Sequence, residues 1–92
     1  MSQFDWDHEK ARINAAKHGV TFDEAMTVEQ DPDRWSRADD RRDLDDERMI
    51  TIGYSTEGSL LYVVTSERGH PSRIISARRA TKRERHAYET RS

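Results

Sequence analysis

The chain has 92 residues, 33% hydrophobic and 37% charged, with a net charge of −2. That length fits one domain, residues 1–92, whose core must be modest, because a chain this short buries only about 60–65% of the surface it exposes when unfolded. With no cysteine it can have neither a disulfide framework nor a cysteine-ligated zinc site. The N-terminus, Met1-Ser2-Gln3-Phe4-Asp5-Trp6, lacks the basic flank and apolar run of a signal peptide, and the longest apolar run, residues 60–64, is too short to span a bilayer. A cytoplasmic protein with no membrane association is expected.

In chain order, residues 2–6 suit a short edge strand and Trp6 a core anchor. Asp7 is a fitting N-cap for a helix over 8–18, and Gly19 a fitting residue just past its end, where a positive φ is wanted. Ile13, Ala16 and Val20 fall at helical spacing and are expected to face the core, with Lys10, Asn14 and Lys17 on a polar stripe beside them. Thr21 and Glu24 fit a capping box, which opens a short helix to about Val28. Residues 29–47 are almost wholly polar and read as a loop anchored by Trp35. Its length is unusual for so small a domain, and a short strand could be hidden in it.

Three strands follow, 48–55, 60–66 and 73–78. The first puts Ile50, Ile52 and Tyr54 on one face, and the second is apolar on both. The turns at Thr56-Glu57-Gly58-Ser59 and Arg68-Gly69-His70-Pro71 are short, so the three should form an antiparallel meander. In the third strand, alternation sets Ile75, Ala77 and Arg73 on the face opposite Ile74, and sends Arg78 and Arg79 to opposite faces. Thr81 and Glu84 make a second capping box for a C-terminal helix to about Glu89, whose only apolar residues are Ala80, Ala87 and Tyr88. The expected fold class is therefore α+β: an antiparallel sheet of three C-terminal strands plus a short N-terminal one, packed with two N-terminal helices and one C-terminal helix.

Charge divides along the chain. Residues 1–47 hold 14 acidic and 7 basic residues and residues 48–92 hold 4 and 9; the last 25 residues alone hold 8 basic and 2 acidic. A basic C-terminal half suits a polyanion, unless the two halves neutralise each other in the fold. Arg68, Arg73, Arg78, Arg79, Lys82, Arg83 and Arg85 make up the basic cluster, with Lys82, Arg85 and His86 on one helix face. A strand end beside a helix start is a natural phosphate site, where arginines can also stabilise a phosphorane. The helix by itself reads equally as a solvated basic surface. Lys17 and His18 lie at the negative end of the first helix dipole, where cations are favoured. Glu67, beside Arg68, is either a general base or half of a surface pair. Tyr54, Tyr62 and Tyr88 could stack on bases, although Tyr62 suits a core and Tyr88 the docking of the last helix. His8, His18, His70 and His86 are scattered at no metal-ligand spacing, and phosphate-loop, dinucleotide and hydrolase signatures are missing, so neither a metal nor a cofactor is expected. The residues alone leave two readings open, a nuclease and a binding module. A plain RNA-binding domain fits less well, for want of aromatics on the right strands.

Three motifs resemble one family. They are Phe4-x-Trp6-Asp7-x-x-Lys10-x-x-x-Asn14-x-x-Lys17-His18-Gly19-Val20-x-Phe22-x-x-Ala25; Glu47-Arg48-x-x-x-Ile52-Gly53, continuing to Gly58-x-Leu60-Leu61-x-Val63-Val64; and Arg73-Ile74-Ile75-Ser76-Ala77-Arg78-Arg79-Ala80-Thr81-x-x-Glu84-Arg85-x-x-Tyr88-Glu89. In order and over nearly the whole chain, they resemble the BrnT ribonuclease toxins of type II toxin–antitoxin systems. The resemblance implies a RelE-like fold and metal-independent RNA cleavage that blocks translation. It also implies neutralisation by a BrnA-type antitoxin with a ribbon-helix-helix DNA-binding domain, in a heterotetramer of two toxins and two antitoxins that touches operator DNA only through the antitoxin. It points to Lys17, His18, Glu67, Arg68, Arg78 and Arg79 as the catalytic region. In that scheme Glu67 is the candidate base, His18 the acid, Lys17 a phosphate clamp, and Arg78 or Arg79 the phosphorane stabiliser with Arg68 assisting. Lys10, Arg73, Lys82 and Arg85 are the expected RNA contacts. The alternative is a catalytically inactive module that binds a DNA-binding antitoxin as co-repressor.

Overall fold

The computed structural model describes residues 4–39, 47–69 and 71–91. Ser2 and Gln3 of the expected first strand, residues 40–46 of the expected loop and His70 of the second turn lie outside the described residues. The elements run β1 (Phe4–Asp5), α1 (His8–His18), α2 (Phe22–Met26), a 3-10 turn (Thr27–Gln30), β2 (Trp35–Asp39), β3 (Arg48–Tyr54), β4 (Leu60–Ser66), β5 (Ser72–Arg79) and α3 (Lys82–Thr90).

The α+β class is as expected, but the sheet is not three strands plus one. It is a five-stranded mixed sheet in the order β1-β5-β4-β3-β2, with β1 parallel to β5 and every other pair antiparallel. The fifth strand, β2, lies inside the segment expected to be a loop. Four of its five residues are exposed, so an edge strand formed here without the apolar alternation that marks a half-buried one. Trp35 belongs to this strand and is 40% exposed, so it anchors no loop.

The sheet is covered on both faces. On one, Val20 from the link between α1 and α2, Phe22 and Ala25 from α2 and Val28 from the 3-10 turn pack on Leu61, Val63, Ile74 and Ala77, and Trp6 meets Phe22 edge-on with ring centroids 6.0 Å apart. On the other, Ile50, Ile52, Leu60 and Val64 lie under Tyr54, Tyr62, Ile75, Ala80 and Tyr88. Each fully buried Phe, Leu or Ile contributes about 1.5–3 kcal/mol by leaving water. The placement of Ile74 with Ala77 overturns the strict alternation expected of β5. Thr65 pairs with Ile74 and Val64 with Ser76, so Ile75 is an extra residue and its bulge reverses the phase.

Helix α1 starts and stops where expected. Asp7 Oδ1 accepts the backbone N–H groups of Glu9 (2.8 Å) and Lys10 (3.1 Å), and Gly19 ends the helix at φ +69°. Its buried face differs from expectation. Ile13 is 50% exposed and Ala16 is exposed, while Asn14, expected on a polar stripe, is only 6% exposed. The reason is the short β1, which pairs only with Ser72 and Arg73 and leaves the β5 edge bare further along. The Asn14 carboxamide fills the gap. Nδ2 donates to the Ala77 carbonyl (2.8 Å) and to the Val20 carbonyl (3.0 Å), and Oδ1 accepts the Ala77 N–H (3.2 Å). One side chain thus does the work of a strand residue and satisfies backbone groups that would otherwise be buried unpaired.

The two expected capping boxes also differ. That at Thr81 is complete, with reciprocal bonds to Glu84. That at Thr21 is half made: Thr21 accepts the Glu24 N–H, but the Glu24 carboxylate turns to the Ser55 hydroxyl at 2.7 Å. Among the described residues no helix is long and apolar enough to cross a membrane.

Candidate active site

Strand β5 ends at Arg78 and Arg79, opposite Tyr62 and Leu61 of β4. The pleat sends the two arginines to opposite faces, as expected. Arg79 emerges on the helix side against the C-terminal end of α1, where a Cβ placed on Gly19 would stand 3.7 Å from Arg79 Nη1. Lys17, exposed, and His18, half-buried, form the last turn of that helix. The chain then turns into α3, which opens with the exposed pair Lys82 and Arg83. Among the described residues no side chain forms a hydrogen bond or ion pair with the Arg79 guanidinium. A planar fork of donors is therefore left at a corner shared by a helix end, a strand end and a helix start, a geometry that suits a phosphodiester.

Arg78 is committed to the fold. It forms a bidentate pair with Glu84, both bonds 2.9 Å, donates to the Arg79 carbonyl at 3.1 Å, and lies with its guanidinium carbon 3.9 Å from the Tyr62 ring centroid. The Arg78 hydrogen bonds hold the Glu84 carboxyl below its ordinary value against the opposing effect of burial, helped by the Thr81 N–H at 2.8 Å. The same pair raises the Arg78 value. Strand β5, the capping box and α3 are joined through this one carboxylate.

Glu67 and Arg68 lie at the other end of the sheet. Leu61, level with Arg79, and Ser66, next to Glu67, are five residues apart on one strand, about 17 Å. A phosphate held by Arg79 is out of reach of Glu67, so the structure does not bring together the base and the phosphorane stabiliser expected from the sequence, nor does it bring Arg68 to Arg79. The Glu67 oxygens accept hydroxyls from Thr65 (2.7 Å) and Ser72 (2.9 Å), on the wall of a groove of about 800 Å³ lined also by Met26, Met49 and Ile74. Arg73 is at this end too, paired with Asp5 at 3.2 Å, and Lys10 is exposed on the first turn of α1. Arg85 donates to the Tyr54 hydroxyl at 3.1 Å on the α3 side. Of the expected residues the structure thus sets Arg79 by the last turn of α1, which carries Lys17 and His18, with Lys82 on the first turn of α3; Arg78 ends the same strand on the opposite face, and Glu67, Arg68, Arg73, Lys10 and Arg85 lie apart from the corner.

Sequence reasoning missed a third polar centre. Asp31 Oδ2 accepts the Tyr54 N–H (2.8 Å) and the Tyr88 hydroxyl (2.7 Å), fixing the far end of α3 to β3. Burial raises the Asp31 carboxyl, but these bonds together outweigh it and the net shift is downward. Burial and the bond to Asp31 push Tyr88 up to about 12. Gly53 permits the contact, since a Cβ there would meet Val28 Cγ1 at 2.8 Å and Asp31 Oδ2 at 3.2 Å. The Ile52-Gly53 pair in the sequence was the available signal. No group of three His, Asp or Glu side chains able to hold a metal occurs among the described residues.

Residues 6–84 match the family model described as the ribonuclease toxin, BrnT, of type II toxin–antitoxin systems. Among solved structures, the crystal structure of the Brucella abortus ribonuclease toxin BrnT aligns with a TM-score of 0.61 at 23% identity, covering 86% of this chain and 96% of that one. No curated protein matches the chain. At such identity the structural likeness speaks for the fold. The family match runs from the Trp6 anchor through α1 and the sheet to Glu84 of the complete capping box. On the strength of that match the chain belongs to the BrnT family, the ribonuclease toxins of type II toxin–antitoxin systems.

Proposed function

We propose that the chain is a metal-independent endoribonuclease whose reaction takes place at the corner of Lys17, His18 and Arg79, and that it blocks translation by cutting RNA in the cytoplasm. The observation that carries this reading is the Arg79 guanidinium, without a side-chain partner among the described residues, at the junction of α1, β5 and α3 in a chain of a ribonuclease family. The RNA 2′-OH gives its proton to solvent water as it attacks the adjacent phosphorus, the P–O bond to the 5′ oxygen breaks, and the products are a 2′,3′-cyclic phosphate and a 5′-OH. Arg79 meets the charge that grows on the phosphorane, Lys17 clamps the phosphate, and His18 protonates the leaving oxygen. Arg78 positions α3 and the β5 end rather than touching the phosphate. Lys82, Arg85, Arg73 and Lys10 steer the polyanion from a distance.

The fold is read as RelE-like. The partner is a BrnA-type ribbon-helix-helix antitoxin, two copies of each chain forming a heterotetramer that meets operator DNA through the antitoxin. Type II membership supports an antitoxin of some kind; its type and the stoichiometry rest on family resemblance.

The test is RNA cleavage by antitoxin-free protein in EDTA, with Arg79→Ala alongside and an all-deoxy strand as control. Cleavage of RNA alone by the wild type, lost in the variant, is the expected result. Normal cleavage by Arg79→Ala removes the residue from the site. No cleavage by correctly folded wild type turns the reading to a co-repressor module.

A further inference from the structure

The strand missed in the sequence supplies an aromatic where none was expected. Trp35 of β2 pairs with Ile52, Ile52 with Tyr62, and Tyr62 with Arg78, so these four residues form one row straight across four strands, about 14 Å from end to end. The next row is Arg37, Ile50, Val64 and Ser76. Over this second row, and bounded on one side by Tyr62 and Arg78 of the first, lies a shallow basin of about 500 Å³. Asp39, the acidic residue of its lining, sits one row further on, opposite Arg48. Trp35 is 40% exposed and the Arg37 guanidinium lies 5.9 Å from its ring centroid.

Resting on the ribonuclease reading, we infer that this sheet face is a single-stranded RNA track, on which a nucleobase stacks on Trp35, Arg37 meets the phosphate backbone, and the basin leads the strand past Tyr62 and Arg78 and round the end of β5 to the reaction corner on the other face. A large aromatic left open to water beside arginines, on a sheet face rather than in an apolar patch, is the arrangement by which proteins take unstacked bases. The open indole, with Arg37 beside it and Arg78 at the other end of the row, offers a stacking surface and phosphate donors together, which is what a single strand needs. Protein interfaces also favour tryptophan and arginine, and the antitoxin is therefore the other outcome of the test.

The test uses an all-deoxy oligonucleotide, which can bind but cannot be cut by 2′-OH attack. We expect it to quench tryptophan fluorescence in the wild type but not in Trp35→Phe, which should still bind it. Trp35→Ala should bind it about 5- to 100-fold more weakly, the usual effect of losing one base–aromatic stack. On RNA, Trp35→Ala should raise KM by a similar factor with kcat within about two-fold, and Trp35→Phe should restore most of the loss, a pattern that a merely structural role would not give. Wild-type binding and KM in Trp35→Ala overturn the inference. So does an unchanged RNA affinity with a weakened antitoxin complex, which assigns the face to the protein partner. Trp35-dependent binding of the deoxy strand by a wild type that cuts no RNA upholds the track and sinks the ribonuclease reading instead.

Discussion

Arg78 and Arg79 are consecutive, carry the same charge and end the same strand, yet they belong to different regions of the molecule. On the α3 face Arg78 is held by two bonds to Glu84 and by the Tyr62 ring. On the α1 face Arg79 rests against Gly19 with no carboxylate paired to it among the described residues. The pleat of a strand is enough to turn one of two identical side chains into a structural tie and leave the other for a ligand.

Substitutions at the two arginines and at their supports test this division. The largest effect is expected from Arg79→Ala: kcat for RNA cleavage should fall about 10²- to 10³-fold, the usual loss of one transition-state donor, with little change in melting temperature. A stable Arg78→Ala that lost cleavage by as much, beside an active Arg79→Ala, would reverse the assignment. Asn14→Ala tests the α1 face from its foundation. It leaves the Ala77 N–H and carbonyl without their side-chain partner, and urea denaturation should show a loss of about 2–4 kcal/mol. Arg78→Ala should cost about 1–2 kcal/mol, since the pair is bidentate but partly exposed, and should speed hydrogen exchange in α3 while cleavage falls less than about ten-fold.

The last two effects depend on pH. Glu84→Gln keeps a side chain able to fill the capping box but removes the charge that Arg78 needs. Because the folded Glu84 carboxyl titrates below its ordinary 4.5, its stabilisation is present above that pH and is lost as the pH falls through the folded value. Melting curves of wild type and Glu84→Gln should therefore differ near neutrality and converge in acid. Tyr88 has the opposite sign. Its proton is held more tightly in the fold, so stability is lost as the pH rises from 10 towards about 12. Tyr88→Phe should flatten that alkaline limb, at a loss of about 0.5–1.5 kcal/mol near neutrality.

The parts of the fold legible in the sequence were those written in local chemistry. Asp7 and Gly19 bracket α1, Thr81 and Glu84 open α3, and the β-branched runs of β3 and β4 declare themselves. What escaped depended on distant neighbours. Asn14 is buried because an edge 63 residues away lacks a strand, and no helical periodicity can announce that. Ile75 is displaced by a bulge that only the β4 pairing reveals. Edge strand β2 has little to bury and so no pattern to show. For the site, the wealth of arginine was visible but not its partition. Nothing in the spacing told which arginine Glu84 would take, nor that Glu67 would lie a sheet's length from Arg79.

The pairing of Asp5 with Arg73, and of Asn14 with Ala77, also sets an order of events in the life of the chain. The first strand and first helix reach α2 early, through Trp6 and Phe22, but the partner strand of β1 and the Ala77 partner of Asn14 do not exist until the fifth strand has been made. Contacts that join the two ends of a chain form late and slowly. Lys17 and His18 are made long before the strand that carries Arg79, and the corner therefore stays unassembled until β5 has left the ribosome.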